Sequence, residues 1–383
     1  MKNIKPSHSL FKESSLNNRY IPPSLINQLI KTKEYAFHTL GTSFEGRPIH
    51  LLNCGKGIKQ ILLWSQMHGN ESTATRAMLD VWNFLHSDHP LASYITSQVS
   101  IDYIPQLNPD GAYLYTRRNA IGIDLNRDFI AEQSTELPIL KNQVQEKDYQ
   151  FLFNMHDQRS IFHPKNQQSP ATLSFLSPSV DELREINDTR KRAMQLIISM
   201  VHGIIDDLPN GIAKFTDEFY PKATGDNFQK LGFPTILIEC GHYARDYNRE
   251  KTREYTFNAI ICALKGIADD SWKTNEIDDY FNLLENDNKA LDIIFRNVKV
   301  KNDKHESIVD LGALYKEVLV GNKIMWLAHI CEIGDLNDRF GYEEFDAEGK
   351  IFSSESHPYP QLEMKANFNL GDLRIKNGKV ITA

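Results

Sequence analysis

Ile61-Leu62-Leu63-Trp64-Ser65-Gln66-Met67-His68-Gly69-Asn70-Glu71 is an apolar run that ends in ligand-type side chains. Its apolar start reads as a buried strand, and the amphipathic stretch from Ser72 to Leu85 reads as a helix. His68 and Glu71 thus fall where strand hands over to helix, so an imidazole and a carboxylate three positions apart can converge on one point. Two later segments repeat the layout. Phe151-Leu152-Phe153-Asn154-Met155 delivers His156, and Phe233-Pro234-Thr235-Ile236-Leu237-Ile238 delivers Glu239.

Working outward, apolar strands alternate with amphipathic helices. A strand is expected near Lys59 to Ser65, another near Gln98 to Ile104, a third near Tyr149 to Asn154 and a fourth near Thr235 to Glu239. Helices are expected near Val180 to Ile205 and Glu250 to Ile267, and a short one from Ser24 to Lys31 in a lead-in of about fifty residues. This alternation predicts an α/β fold, a mixed, mostly parallel sheet with helices on both faces. In such sheets ligands gather at the carboxyl ends of strands, where His68, His156 and Glu239 all fall.

After Ala268 the character changes. Residues 269–287 are highly charged and read as a linker, with Trp272, Tyr280 and Phe281 interspersed. Beyond them Leu291 to Val300 and Lys323 to Ala328 read as strands, and Asn377-Gly378 between strand-like flanks is a strong hairpin signal. The expected organisation is a catalytic domain over 1–268, a linker over 269–287 and a small β-rich C-terminal domain over 288–383.

The chain has 383 residues and a net charge of -7, against the basic surface that a nucleic-acid binder normally presents. No stretch approaches the roughly 20 apolar residues that span a bilayer, and no signal-peptide core follows the basic start, so a cytoplasmic location without membrane attachment is expected. Cys54, Cys240, Cys262 and Cys331 are scattered, mostly in apolar segments, and read as buried free thiols.

A lone histidine is usually a satisfied core or surface residue, and this chain has 13, so arrangement must decide. Two His and one Glu match the ligand set of a zinc site that keeps a position open, with a second Glu as the usual base beside it. His68, Glu71 and His156 are the candidate ligands, and His163 is the rival third. Asp157 is expected to orient an imidazole from behind. Glu239 ends an apolar strand, where an unpaired carboxylate is costly unless it serves a site or has a partner. Asn108-Pro109-Asp110-Gly111 is a turn by its own chemistry. It precedes Thr116-Arg117-Arg118-Asn119 and Asp124-Leu125-Asn126-Arg127, where a fork-shaped cation at Arg127 beside Asn126 suits bidentate capture of a carboxylate.

With these motifs the chain resembles the zinc carboxypeptidases of the metallocarboxypeptidase family to which carboxypeptidase A belongs. His68-Gly69-Asn70-Glu71 matches that family's His-x-x-Glu, Asn108–Gly111 and Asp124–Arg127 its substrate-binding segment, and His156 and Glu239 its third ligand and base. The likeness covers roughly residues 35 to 268, with Phe44 to Ile49 as a weaker upstream marker. It implies one Zn2+ per chain and a peptide or small carboxylate-bearing substrate. It further implies Glu239 as general base, Arg117 as the oxyanion stabiliser, because Asn119 follows it by two, and Asn126 with Arg127 for the terminal carboxylate. Arg118 is the rival of Arg117. The family's lid tyrosine corresponds best to Tyr220, ahead of Ala223-Thr224-Gly225-Asp226-Asn227, where the chain departs from the family spacing by about one residue. For that reason Asp226 is not read as a mark of a basic substrate.

Two other readings remain open from sequence. Succinylglutamate desuccinylase and aspartoacylase relatives share a His-Gly-x-Glu zinc loop and an extra β-rich domain, and they cleave N-acyl amino acids. A catalytically inactive binding protein on the same scaffold would be marked by loss of the base or of a ligand, and this chain keeps both.

Overall fold

The computed structural model describes residues 6–381 and resolves two compact units. The first comprises the chain up to Gln158 and Ala171–Asn286; the second comprises Arg159–Pro170 and the residues after Asn286.

In the first unit α1 (Pro23–Thr32) precedes β1 (Phe37–Thr42), β2 (Pro48–Cys54) and β3 (Lys59–Trp64); α2 (Thr73–Leu85) and α3 (Pro90–Gln98) lead to β4 (Val99–Ile104). The short α4 (Pro109–Leu114) and α5 (Glu136–Gln145) come before β5 (Phe151–Asp157). The two-residue β6 (His163–Pro164) lies in the segment that goes with the second unit. Then follow β7 (Leu173–Leu176), α6 (Asp188–His202), β8 (Ile212–Lys214), α7 (Thr224–Lys230), β9 (Thr235–Cys240), α8 (Glu250–Asp269) and α9 (Ile277–Phe281).

Eight strands form one sheet in the order β1-β2-β4-β3-β5-β9-β7-β8. Its centre, β4-β3-β5-β9, is parallel, while β1, β2 and the β7–β9 pair add antiparallel edges. The period-2 alternation of β3 shows why both faces are covered. Ile61 and Leu63 enter one core with residues of α2, α6 and α8, whereas Leu62 and Trp64 enter another with Leu140 of α5 and Phe228 of α7. A strand apolar on both sides belongs in the middle of such a sheet.

The helix expected over 180–205 is shorter at its start. Asn187 caps α6 by accepting from Arg190 N at 3.0 Å, and Arg184 has φ 57°, so the residues before the cap turn rather than coil into the helix. The lead-in is also more than a lead-in. Arg253, fully buried, donates to the carbonyls of Glu13 and Leu16 and to both oxygens of Asp80, which fastens the first residues onto α2 and α8. Likewise, the stretch 269–287 read as a linker is packed into the first unit as far as Asn286. Trp272 stands edge-on to Phe151 at 5.1 Å, and Tyr280 is buried in the same core, which the charges around them concealed in the sequence.

The chain returns to the second unit at Asp287, within β10 (Asn286–Asp287). Strands β11 (Ala290–Lys301), β12 (Glu306–Val320), β13 (Lys323–Gly334) and β14 (Phe340–Asp346) form a sheet in the order β13-β12-β11-β14. A smaller antiparallel sheet joins β15 (Phe352–Ser353), β16 (Phe368–Leu370), β17 (Leu373–Lys376) and β18 (Lys379–Ile381). Asn377 and Gly378 form the two-residue β17–β18 turn with φ 49° and 77°, the left-handed pair that a tight hairpin requires. All four cysteines are free, and only Cys240 is fully buried. Among the described residues no helix is long and apolar enough to cross a membrane.

Candidate metal centre

The carboxyl ends of β3, β5 and β9 supply the centre. After Trp64 the chain turns through Gln66 at φ 45° and reaches His68, Gly69 and Glu71 before α2 begins. Gly69 is obligatory there: a Cβ would lie 1.9 Å from the carbonyl carbon of Gly111 and 2.1 Å from Ala112 N, so the loop can press against α4 only without a side chain. The Asn-Pro-Asp-Gly turn starts α4. Asn108 accepts from Gly111 N at 2.8 Å as its cap and donates to Met67 O, and Pro109 takes the first helical position. Asp110, fully buried, accepts from Ser43 Oγ, Glu45 N and Arg47 Nη1, which ties the upstream 44–49 segment to the same turn.

His68, Glu71 and His156 are 2 %, 8 % and 2 % exposed, and their ligand-type atoms all lie within 4.8 Å of one another. Glu71 bridges the rings, with Oε1 2.9 Å from His68 Nδ1 and Oε2 2.8 Å from His156 Nδ1, while the two Nδ1 atoms are 3.1 Å apart. Facing ring nitrogens at that distance can share at most one proton, whereas a cation between them engages both lone pairs and the carboxylate. His68 Nε2 lies 3.1 Å from Asp124 Oδ1; a carboxylate only accepts, so Nε2 carries a proton, and with a cation in the cluster Nδ1 would present its lone pair. The donor set and its geometry therefore fit zinc. Burial pushes Glu71 up, but the His68 charge and the hydrogen bonds of His156 and His68 outweigh it and hold its carboxyl well below the ordinary range. Burial also raises Asp124, and its bonds to His68 and Arg117 more than reverse that.

Glu239 pairs in register with His156 on the neighbouring parallel strand, and so stands beside the third ligand on the same face of the sheet. Burial first, then the charges of Glu71 and Asp157, push its carboxyl well up, against the opposing pull of Arg117 and Arg249. Arg117 also reaches the group. Its Nε donates to Asp124 Oδ2 at 3.0 Å, and its Nη1 lies 3.2 Å from His68 Nδ1 and 3.3 Å from Glu71 Oε1. Arg118 instead turns outward and donates to Gly122 O. His163 is buried in the segment belonging to the second unit, with its ring against Phe340 and Nδ1 at Pro164 O.

Asn126 and Arg127 sit in the single 3-10 turn Leu125–Arg127, which Asp124 caps by accepting from Asn126 N. Asn126 Oδ1 accepts from Thr224 N at 3.0 Å, which docks α7 onto this turn. The guanidinium of Arg127 is exposed and lies 5.6 Å over the ring of Tyr220, itself 44 % exposed, whose backbone N donates to Asp226 Oδ1. Arg127 and Tyr220 thus meet each other outside the strands of the sheet.

Three residues carry weight that the sequence did not assign. Asp124, not Asp157, holds an imidazole. The Asp157 side chain accepts from Arg19 Nη2 and Thr73 Oγ1, and its own N donates to Glu71 Oε2 at 3.2 Å. Arg249 donates to the carbonyls of Cys240 and Gln158 and so clamps the ends of β9 and β5 together. Asp124 could have been found from its place two residues before Asn126. Arg19 and Arg249 carry no local signal, because neither ends an apolar run or belongs to one of the motifs.

Comparison with known proteins agrees with this geometry. Residues 28–203 match the family model described as zinc carboxypeptidase, a span that holds all three candidate ligands and ends before Glu239. The chain is 31 % identical over 110 residues to mouse cytosolic carboxypeptidase 6, covering 26 % of this chain and 20 % of that protein. It is 38 % identical over 66 residues to carboxypeptidase SOL1 of Arabidopsis thaliana, covering 16 % and 13 %. The chain thus spans a fifth or less of the length of these two relatives. Among solved structures, a metallo-carboxypeptidase from Burkholderia cenocepacia aligns with a TM-score of 0.51 at 16 % identity, over 65 % of this chain and 68 % of that one. Bovine thrombin-activatable fibrinolysis inhibitor, solved with a tick carboxypeptidase inhibitor, aligns at 0.53 and 13 % identity, over 68 % and 100 %. At these identities the structural likeness establishes the fold.

Proposed function

We propose that this chain, whose residues 28–203 belong to the zinc carboxypeptidase family, hydrolyses the last peptide bond of a substrate with a free terminal carboxylate. The observation that carries the reading is one cluster: two imidazoles and a carboxylate converge within 4.8 Å, with Glu239 in register beside His156 and Arg117 at 3.2 Å from His68. Zinc held by His68, Glu71 and His156 would supply a Lewis acid that polarises a carbonyl and lowers the pKa of a water.

The protein's own groups do the rest. Glu239 takes the attacking water's proton and passes it to the leaving amine; a carboxyl raised by burial holds a proton more readily than an ordinary one. Arg117, anchored through Nε on Asp124, turns its Nη1 toward the ligand cluster and stabilises the charge that develops on the attacked carbonyl oxygen. Arg127 and Asn126 receive the terminal carboxylate, with the exposed guanidinium as the fork, and Tyr220 lies over it. A peptide is the substrate class in this reading. A cytoplasmic location belongs to it too, supported by the likeness to a protein named for the cytosol.

The test compares three substrate sets: peptides with a free C-terminus, the same peptides amidated, and single N-acyl amino acids. Mass spectrometry should find one free amino acid released from the first set and little from the second. Release from N-acyl amino acids alone would move the chain to the desuccinylase class.

A further inference from the structure

Asn154 lies in the middle of β5, fully buried, and among the described residues neither its Oδ1 nor its Nδ2 has a hydrogen-bond partner. Buried amides are almost always satisfied, and leaving both ends unpaired is costly. If packing alone governed the position, leucine would fill nearly the same shape without that cost.

The direction in which the amide points gives it a role. Along β5, Leu152, Asn154 and His156 share one face of the sheet. In register with Asn154 are Trp64 of β3 and Leu237 of β9, and one step further toward the strand ends come His156 and Glu239. Two residues along a strand span roughly 7 Å, about the reach of a side chain from the backbone atoms at the reacting centre. The opposite wall is α7, the helix docked on Asn126 through Thr224 N. There Gly225 faces Asn154: a Cβ at Gly225 would meet Pro178 Cγ at 3.2 Å and Asn154 Nδ2 at 3.8 Å, so glycine is the smallest neighbour that α7 could set against this amide. The flanks are apolar, with Trp64 edge-on to Phe228 at 5.8 Å, so water competes poorly for the amide.

We infer that Asn154 is a specificity-determining residue, forming the end of the pocket that takes the departing residue's side chain and selecting a carboxamide, which donates and accepts, over an apolar side chain of the same shape. The inference rests on the carboxypeptidase reading above. A substrate carboxamide pairs with both orphaned atoms of Asn154, whereas an aliphatic side chain buries them unpaired, and sites built to hydrogen-bond a substrate reject the analogue that cannot.

The experiment uses the zinc-loaded full chain and peptides that differ only in the last residue: asparagine against leucine and glutamine against methionine, with lysine and glutamate as charged arms. Wild type should favour asparagine over leucine by about ten- to a hundredfold in kcat/KM. The isosteric Asn154→Leu variant should invert that order while retaining zinc, and free asparagine should bind wild type more tightly than free leucine by calorimetry. Equal rates on asparagine and leucine, or a faster rate on a charged arm, would overturn the role of Asn154 and leave the carboxypeptidase reading standing. No release from any peptide in the panel would overturn that reading, and this inference with it. Because the wild-type comparison needs no substitution, a poorly folded variant does not blunt the test.

Discussion

The two sides of the candidate site are built on different principles. On the strand side His68, Glu71 and His156 are almost wholly buried, and each is held by at least two neighbours, with Asp124 behind His68 and the backbone of Asp157 behind Glu71. On the loop side Arg127 and Tyr220 are exposed, and each side chain makes one hydrogen bond to a near neighbour in sequence beside the contact between them. Strand ends in a sheet covered on both faces fix atoms closely, and exposed loops do not. Under the proposed function the contrast implies a division of labour: the reacting groups would be preorganised by the fold, and the groups that receive the substrate would adapt to it.

That contrast breaks most visibly at Glu239. Glu239→Gln keeps the strand and the neighbouring ligands but removes the proton carrier, so kcat should fall by about 10²–10⁴-fold with zinc content unchanged. Full turnover in that variant would mean that the strand side only binds. On the loop side, Arg127→Ala should cost about 10- to 100-fold in kcat/KM, expressed mainly in KM, with unfolding free energy within about 0.5 kcal/mol of wild type. A loss confined to kcat would move Arg127 out of substrate binding.

Asp226 joins the two sides, because it is buried in the first turn of α7 yet holds the Tyr220 loop through Tyr220 N. Burial pushes its carboxyl up from 3.8 to about 6, over the opposing hydrogen bond from Tyr220 and the charges of Arg127 and Arg190. The folded state therefore binds this proton more tightly than the unfolded state, and the contribution to stability falls as pH rises from 3.8 to about 6 and stays low above that. Asp226→Asn should escape the loss: relative to wild type, it should gain on the order of 2 kcal/mol in unfolding free energy between about pH 4 and pH 7. A difference that does not change with pH would show that Asp226 titrates normally. The smallest change is expected at Tyr220→Phe, whose hydroxyl donates to Glu218 Oε2 at 3.3 Å: kcat/KM should drop less than about tenfold and stability hardly at all, checked by steady-state kinetics beside thermal melts.

The same division decides what the sequence revealed. His68, Glu71, His156 and Glu239 were legible because each ends an apolar run, and a run buried on both faces can only be a central strand whose carboxyl end opens on the site. The parallel sheet and the Asn377-Gly378 hairpin were legible for similarly local reasons. The tether through Arg253 and Asp80, and the bond by which Arg249 reaches Gln158 after β5, join residues 90 or more positions apart and leave no periodic trace. Trp272 and Tyr280 were read as linker because their neighbours are charged, although two buried aromatics outweigh exposed charges in deciding where a segment packs. Asn154 lay in plain view inside a strand, but only the absence of any partner gives it meaning.

The direct measurement is metal content by elemental analysis on folded wild type and His156→Ala, each dialysed against a weak chelator. One zinc per chain in wild type and almost none in the variant is the expected result. Near-stoichiometric zinc in His156→Ala, or none in wild type after reloading, would contradict a centre built from His68, Glu71 and His156.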